Sequence, residues 1–210
     1  MPGVDGAPTG PTPPPAGGRR PVFLIGMMGA GKSTVGRLLA ASLGYEFVDC
    51  DAELERRCGA RIATLFELEG EAGFREREAQ LLDELTARQG IVLATGGGAV
   101  LRAQNRERLR ARGLVIFLDA SAVEIERRTR HDTSRPLLQG PDRMARIETL
   151  AEQRRPLYLE TAHLRFRSPA RNPRRLVQAI LEHPQMAGPA PPGAAAAGGG
   201  RGSPGPRTGT

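Results

Sequence analysis

Residues 26–33 read Gly26-Met27-Met28-Gly29-Ala30-Gly31-Lys32-Ser33. The pattern G-x-x-x-x-G-K-[ST] constrains the fold more than any other stretch of the chain. Immediately before it, Val22-Phe23-Leu24-Ile25 is an unbroken apolar run of the kind found in a buried strand. Immediately after it, Val35, Leu38, Leu39 and Leu43 fall on one face of a helix predicted over 34–43, with Gly44 as its C-terminal cap. A glycine-rich loop between a strand and a helix points backbone N–H groups inward without Cβ clashes, and the helix offers its positive end to an anion. Such a loop cradles nucleotide phosphates, with Lys32 reaching the β- and γ-phosphates and the Ser33 hydroxyl on Mg²⁺. By itself it does not separate a kinase from a GTPase, an ATPase or a motor.

The remaining apolar runs alternate with amphipathic stretches. Strands are predicted over 46–48, 91–94, 114–118 and 164–167, and helices over 51–57, 71–89, 104–111, 123–130, 144–158 and 173–181. This alternation specifies an α/β fold of three layers: a five-stranded parallel sheet flanked by helices on both faces. Ligands of such sheets sit at the C-terminal strand ends. The unusual residues lie there: the glycine loop after the first strand, Asp49 and Asp51 after the second, and Gly96-Gly97-Gly98 after the third. There are no internal repeats.

Both ends are rich in Pro, Gly and Ala and lack the apolar content to offset chain entropy. Residues 1–20 and 184–210 are expected to be disordered tails, and residues 21–183 a single domain. The net charge is +7, of which Arg19, Arg20, Arg201 and Arg207 against Asp5 contribute +3 in the tails. Charges of both signs are mixed along the rest, which argues against a nucleic-acid stripe and for a solvated, arginine-rich surface. The basic residues are nearly all Arg; the single lysine is Lys32, in the loop where a compact ammonium suits phosphate better than a planar guanidinium. Cys50 and Cys58 form no metal pattern or disulfide framework and read as reduced thiols. No apolar stretch approaches a membrane span, and the N-terminal tail lacks the apolar region of a secretory signal. A cytoplasmic monomer is expected.

In Asp49-Cys50-Asp51 an extended chain would put both carboxylates on one side, one to hold water on Mg²⁺ and one to take the proton of an attacking hydroxyl. Asp51 can equally cap the following helix. Three consecutive glycines after Thr95 are costly unless the backbone must approach something closely, and a wall of N–H groups lining a substrate is the expectation. Arg75 can be a solvated helix charge or, oriented by Glu78 three residues on, a binding group; Arg154 leaves the same choice open. Arg127, Arg128, Arg130 and Arg135 flank a polar stretch and suit a lid that excludes water and stabilises transferring charge. His131, His163 and His183 are assigned no chemistry, and Phe66 and Phe74 are read as core.

Taken in order, seven segments resemble the shikimate kinase family. They are residues 26–34, Asp49-Cys50-Asp51, Gly73-Phe74-Arg75-Glu76-Arg77-Glu78, Ala94-Thr95-Gly96-Gly97-Gly98, Arg135-Pro136-Leu137-Leu138, Arg154-Arg155-Pro156-Leu157-Tyr158 and Arg171-Asn172-Pro173. The resemblance spans nearly all of residues 21–181. It implies a nucleoside-monophosphate-kinase-like fold with a mobile lid, and ATP-dependent phosphorylation of the shikimate 3-hydroxyl in chorismate and aromatic amino-acid biosynthesis. It also implies roles residue by residue. Gly29, Ala30, Gly31, Lys32, Ser33 and Thr34 would bind ATP, with Arg128 and Pro173 sandwiching adenine and Arg171 nearby. Arg135 would be the lid arginine on the transferring phosphate. Asp51 would hold the acceptor hydroxyls and act as base, and Ser33 and Asp49 would serve Mg²⁺. Arg75 and Arg154 would clamp the shikimate carboxylate beside Gly96, Gly97 and Gly98. Another small-molecule kinase, such as a gluconate kinase, is disfavoured by the glycine triplet and the two clamp arginines. A non-catalytic ligand-binding regulator is disfavoured by Lys32, Ser33, Asp51 and Arg135.

Overall fold

The computed structural model describes residues 20–130, 142–168 and 172–186. Arg135, Arg171 and nearly all of both predicted tails therefore lie outside the described residues.

Five strands form one parallel sheet in the order β2-β3-β1-β4-β5: β1 Val22–Ile25, β2 Glu46–Asp49, β3 Ile91–Ala94, β4 Leu114–Asp119 and β5 Leu164–Arg167. The central strand β1 pairs with β3 (Val22 opposite Val92) and with β4 (Val22 opposite Leu114). These three strands are continuous apolar runs because both faces are covered. Towards one face Phe23, Ile25, Leu93, Val115 and Phe117 pack against α2 (Cys50–Cys58), α3 (Ile62–Thr86), α4 (Ala103–Arg112), α5 (Ala122–Thr129) and α6 (Arg143–Thr161). Towards the other, Val22, Leu24, Val92, Ile116 and Leu118 pack against α1 (Lys32–Leu43) and α7 (Pro173–Leu181). The expected three-layer α/β architecture is the one observed.

Local chemistry sets the element ends. The Gly44 N–H bonds Ala40 O in a left-handed cap that ends α1. Ser121 and Glu124 form a reciprocal capping box on α5. Asn172 caps α7 through the Arg175 N–H, with Pro173 in the first turn.

Two expectations are corrected. The stretch α3 holds two helices that meet at Gly70, whose φ 66° and ψ −179° are not helical: the helix predicted over 71–89 starts where expected and ends at Thr86, and a preceding helix from Ile62 was not predicted. The periodic Ile62, Leu65 and Phe66 supply the first half, and Leu65 is buried. The second correction concerns Asp49 and Asp51. They do not lie on one extended strand, because α2 already starts at Cys50. Asp49, not Asp51, is its cap: Asp49 Oδ1 accepts from the N–H groups of Asp51 (3.1 Å) and Ala52 (3.4 Å).

Candidate active site

The C-terminal ends of β1, β2 and β3 open onto two adjoining cavities. The first, about 320 Å³, is lined by Gly29, Gly31, Lys32, Ser33 and Thr34 of the glycine loop and α1, and by Thr95 and Arg128. Gly29 and Gly31 take φ 74° and 95°, backbone that a side chain would strain, and a Cβ on Gly29 would run into Thr129 of α5. Lys32 is buried, and its ammonium donates to Gly26 O (2.8 Å) and Met27 O (2.9 Å), which sets it within the loop. Ser33 Oγ donates to Asp49 Oδ2 at 2.5 Å. Ala30 is fully buried, and its carbonyl accepts from Ser168 Oγ at 2.6 Å.

A hydroxyl and a carboxylate this close are the hard oxygen donors Mg²⁺ prefers. Among the described residues no cluster of three or more His, Cys, Asp or Glu side chains could hold a metal alone.

A smaller cavity of about 190 Å³ continues from the first past Gly31, Thr34 and Arg128 to Pro173 and Leu176. Arg128 is fixed there by hydrogen bonds to Gly29 O (3.0 Å), Ser168 Oγ (3.2 Å) and Ser168 O (3.2 Å). Arg128 and Pro173, distant in sequence, thus line one slot. Ser168 escaped the sequence reading; the available signal was its place at the C-terminal end of a parallel strand.

The second large cavity, about 340 Å³, shares Asp49, Asp51, Met28 and Gly97 with the first. Arg75, Glu78, Arg154, Gly96 and Gly98 also line it. Arg75 from α3 and Arg154 from α6 are 9% and 3% exposed. Neither is a solvated helix charge. Arg75 Nη1 donates to Glu78 Oε2 at 2.8 Å, and Arg75 also pairs with Glu71. Arg154 Nη1 and Glu78 Oε1 are buried without hydrogen-bond partners among the described residues. An unanswered guanidinium nitrogen beside a cavity calls for an anion.

The glycine triplet lines this cavity, and its missing side chains also make room for charged groups. A Cβ on Gly96 would collide with Glu78 Oε1 and stand 3.0 Å from Asp51 Oδ1; one on Gly98 would overlap the Arg75 guanidinium. The missing side chains let the charged groups close on the backbone. Tyr158 Oη holds the Gly97 carbonyl at 2.5 Å from beneath.

Burial shifts several groups. It lifts the Glu78 carboxyl above its ordinary range against the pull of Arg75, and Asp51 pushes it further in the same direction. Burial also raises the Tyr158 hydroxyl and the Cys50 thiol, so Cys50 is an inert core group. His163 is lowered by burial, its Nδ1 accepting from the Val115 N–H, in keeping with no chemical role. Phe66 and Phe74, with ring centroids 4.5 Å apart, belong to the core and line the second cavity as well. The sequence reading missed Glu55 and Arg61 on the cavity wall.

A family model described as shikimate kinase matches residues 28–185. The chain belongs to the shikimate kinase family. The shikimate kinase of Bordetella avium is 54% identical to it over 161 residues, 77% of each chain. That of Ralstonia nicotianae is 52% identical over 174 residues, 83% of this chain and 92% of the relative. Among solved structures, the Acinetobacter baumannii shikimate kinase in complex with shikimate superposes with a TM-score of 0.76 at 48% identity, covering 77% of this chain and 90% of the other. The shikimate kinase of Aquifex aeolicus superposes at 0.68 with 35% identity, covering 77% of this chain and 94% of the other.

Proposed function

We propose that the two large cavities hold ATP–Mg²⁺ and shikimate face to face, and that phosphoryl transfer occurs where they meet, at Asp49, Asp51 and Gly97. The activity is that of the family: ATP-dependent phosphorylation of shikimate to shikimate 3-phosphate and ADP, in aromatic amino-acid biosynthesis. The observation that carries the residue assignment is the buried Arg154 guanidinium, with one nitrogen unanswered, beside Arg75 on the wall of the second cavity.

In this reading Arg75 and Arg154 hold the acceptor carboxylate, each offering a planar fork. Glu78 keeps Arg75 turned towards the cavity. Asp51 receives the proton of the 3-hydroxyl as its oxygen attacks the γ-phosphorus. Lys32 and the loop N–H groups balance the charge of the phosphates. Ser33 and Asp49 would hold Mg²⁺, which when bound neutralises charge on the β- and γ-phosphates. Arg128 and Pro173 take the adenine, with Gly29, Ala30, Gly31 and Thr34 along the phosphates. Arg135 and Arg171, outside the described residues, keep the lid and adenine-side roles that the family pattern implies.

Residues 21–183 act as the folded unit in this account, with residues 1–20 and 184–210 as tails. A cytoplasmic enzyme is supported by two free cysteines, and no helix among the described residues is long and apolar enough to cross a membrane. A monomer is supported by how few large apolar side chains are exposed among the described residues: Leu68, Leu101, Val123 and Leu159. Incubating the purified chain with ATP–Mg²⁺ and shikimate and following ³¹P resonances tests the reaction. A new phosphomonoester coupled to the shikimate C3 proton is expected; a signal of inorganic phosphate alone would overturn the assignment.

A further inference from the structure

The largest of the cavities described takes no part in this reaction. It measures about 650 Å³ and lies at the sheet edge formed by β5, beneath α5 and α6. Leu164 and Phe166 of β5 pack with the α1 and α7 layer, so by strand alternation Arg165 and Arg167 face the other way, into this cavity. Arg155 of α6 joins them. Asp119 Oδ2 accepts from both Arg155 (3.1 Å) and Arg165 (2.6 and 2.9 Å), fixing two guanidinium groups at one wall. Arg167 has no hydrogen bond or ion pair among the described residues, although it stands opposite Asp119 in the β4–β5 register. Glu124, also on the wall, is committed to the α5 capping box. The inner surface is apolar and aromatic, from Met27, Phe117, Leu118 and Tyr158.

Charge on an exposed edge strand commonly serves only to prevent pairing with another sheet. That role needs no cavity, no aromatic floor and no convergence of three like charges on one space. We propose that this cleft is a second, non-substrate binding site for a small anion carrying one ring and a carboxylate or phosphate group, and that its occupancy is coupled to the nucleotide site. The ring meets the apolar floor, and the anion meets Arg165 and Arg167. Coupling has a short path, because two lining residues also support the glycine loop. Ser168 donates to Ala30 O and accepts from Arg128, and Met27 O accepts from Lys32. By linkage, a ligand that moves Ser168 changes nucleotide affinity, and nucleotide changes the ligand's affinity by the same factor.

The test uses the full chain, with saturating ADP–Mg²⁺ and shikimate filling the three reaction cavities. Phenyl phosphate and benzoate are titrated separately while ¹H–¹⁵N spectra follow the Met27, Ser121 and Ser168 amides and the arginine Nε groups. At least one probe should give saturable shifts there, and which one distinguishes a phosphate from a carboxylate ligand. The Arg165→Gln/Arg167→Gln variant should weaken binding about 10-fold or more, as expected for lost charged hydrogen bonds, and leave turnover without the probe unchanged. Arg167→Gln alone, which breaks no observed contact, should weaken it in the same direction. Absence of saturation with both probes, or unchanged binding in the variants, would overturn the site. In the coupling arm, the Kd for ADP, measured without shikimate, should change about 5-fold with the probe bound, the lower end of ordinary coupling; an unchanged Kd would overturn the coupling.

Discussion

Ser33 Oγ donates to Asp49 Oδ2 at 2.5 Å, joining the end of the phosphate loop to the end of the neighbouring-but-one strand. Asp49 uses its other oxygen to cap α2, whose first turn carries Asp51. One carboxylate thus lines both cavities proposed for the reactants and fixes Asp51 beside it.

Asp49→Ala removes a helix cap and a proposed Mg²⁺ ligand together. The cap alone is worth about 1 kcal/mol of stability. The variant should melt lower and need more Mg²⁺ for half-maximal turnover. Both are read from a thermal melt and a Mg²⁺ titration of rate. An unchanged Mg²⁺ requirement would leave Asp49 with the cap alone.

Asp51→Asn preserves size and removes the proton acceptor. The expected loss is about 10²–10⁴-fold in kcat, the usual scale of general acid–base catalysis, with ADP affinity retained. Steady-state kinetics and an ADP titration separate the two. Turnover near that of the unaltered enzyme would remove Asp51 from the role of base.

Arg75→Ala and Arg154→Ala each take one fork from the acceptor cavity. A hydrogen bond to a charged group contributes about 1.5–3 kcal/mol, so KM for shikimate should rise by roughly 10- to 150-fold while KM for ATP changes little. Equal effects on both substrates would count against the clamp.

Glu78 gives the site a pH signature. Burial raises its carboxyl above the ordinary value of 4.5, so the folded chain keeps the proton to higher pH than the unfolded chain does. That contribution to stability is complete below the unfolded value and is lost as pH rises through the folded value. From pH 4.5 upward, Tm of the unaltered chain should therefore fall relative to that of Glu78→Gln, which has no such proton. Parallel Tm–pH curves for the two proteins would contradict this.

The phosphate loop was legible in the sequence because its spacing and its strand-helix context are both local. The central strands were legible because burial on two faces leaves uninterrupted apolar runs such as Ile91-Val92-Leu93-Ala94. What escaped depends on contacts far apart in the chain. The first half of α3 escaped because Ile62, Leu65 and Phe66 make only a short periodic run before Gly70, whose non-helical backbone separates it from the second half. Asp49 and Asp51 exchanged the capping role because a helix can begin one residue after a strand, leaving no extended Asp-x-Asp. The close approach at Gly96 and Gly98 was legible, but not that Glu78 and Arg75, from another element, come into that space. The burial of Arg154, the best mark of the proposed acceptor cavity, comes from tertiary packing that no local pattern encodes.

Phosphorylation of shikimate by this chain is read in ADP release from ATP–Mg²⁺, with the purified protein offered shikimate, gluconate or no acceptor. ADP is expected with shikimate and almost none with gluconate or without an acceptor. ADP formation with gluconate, or equal rates in all three mixtures, would contradict it.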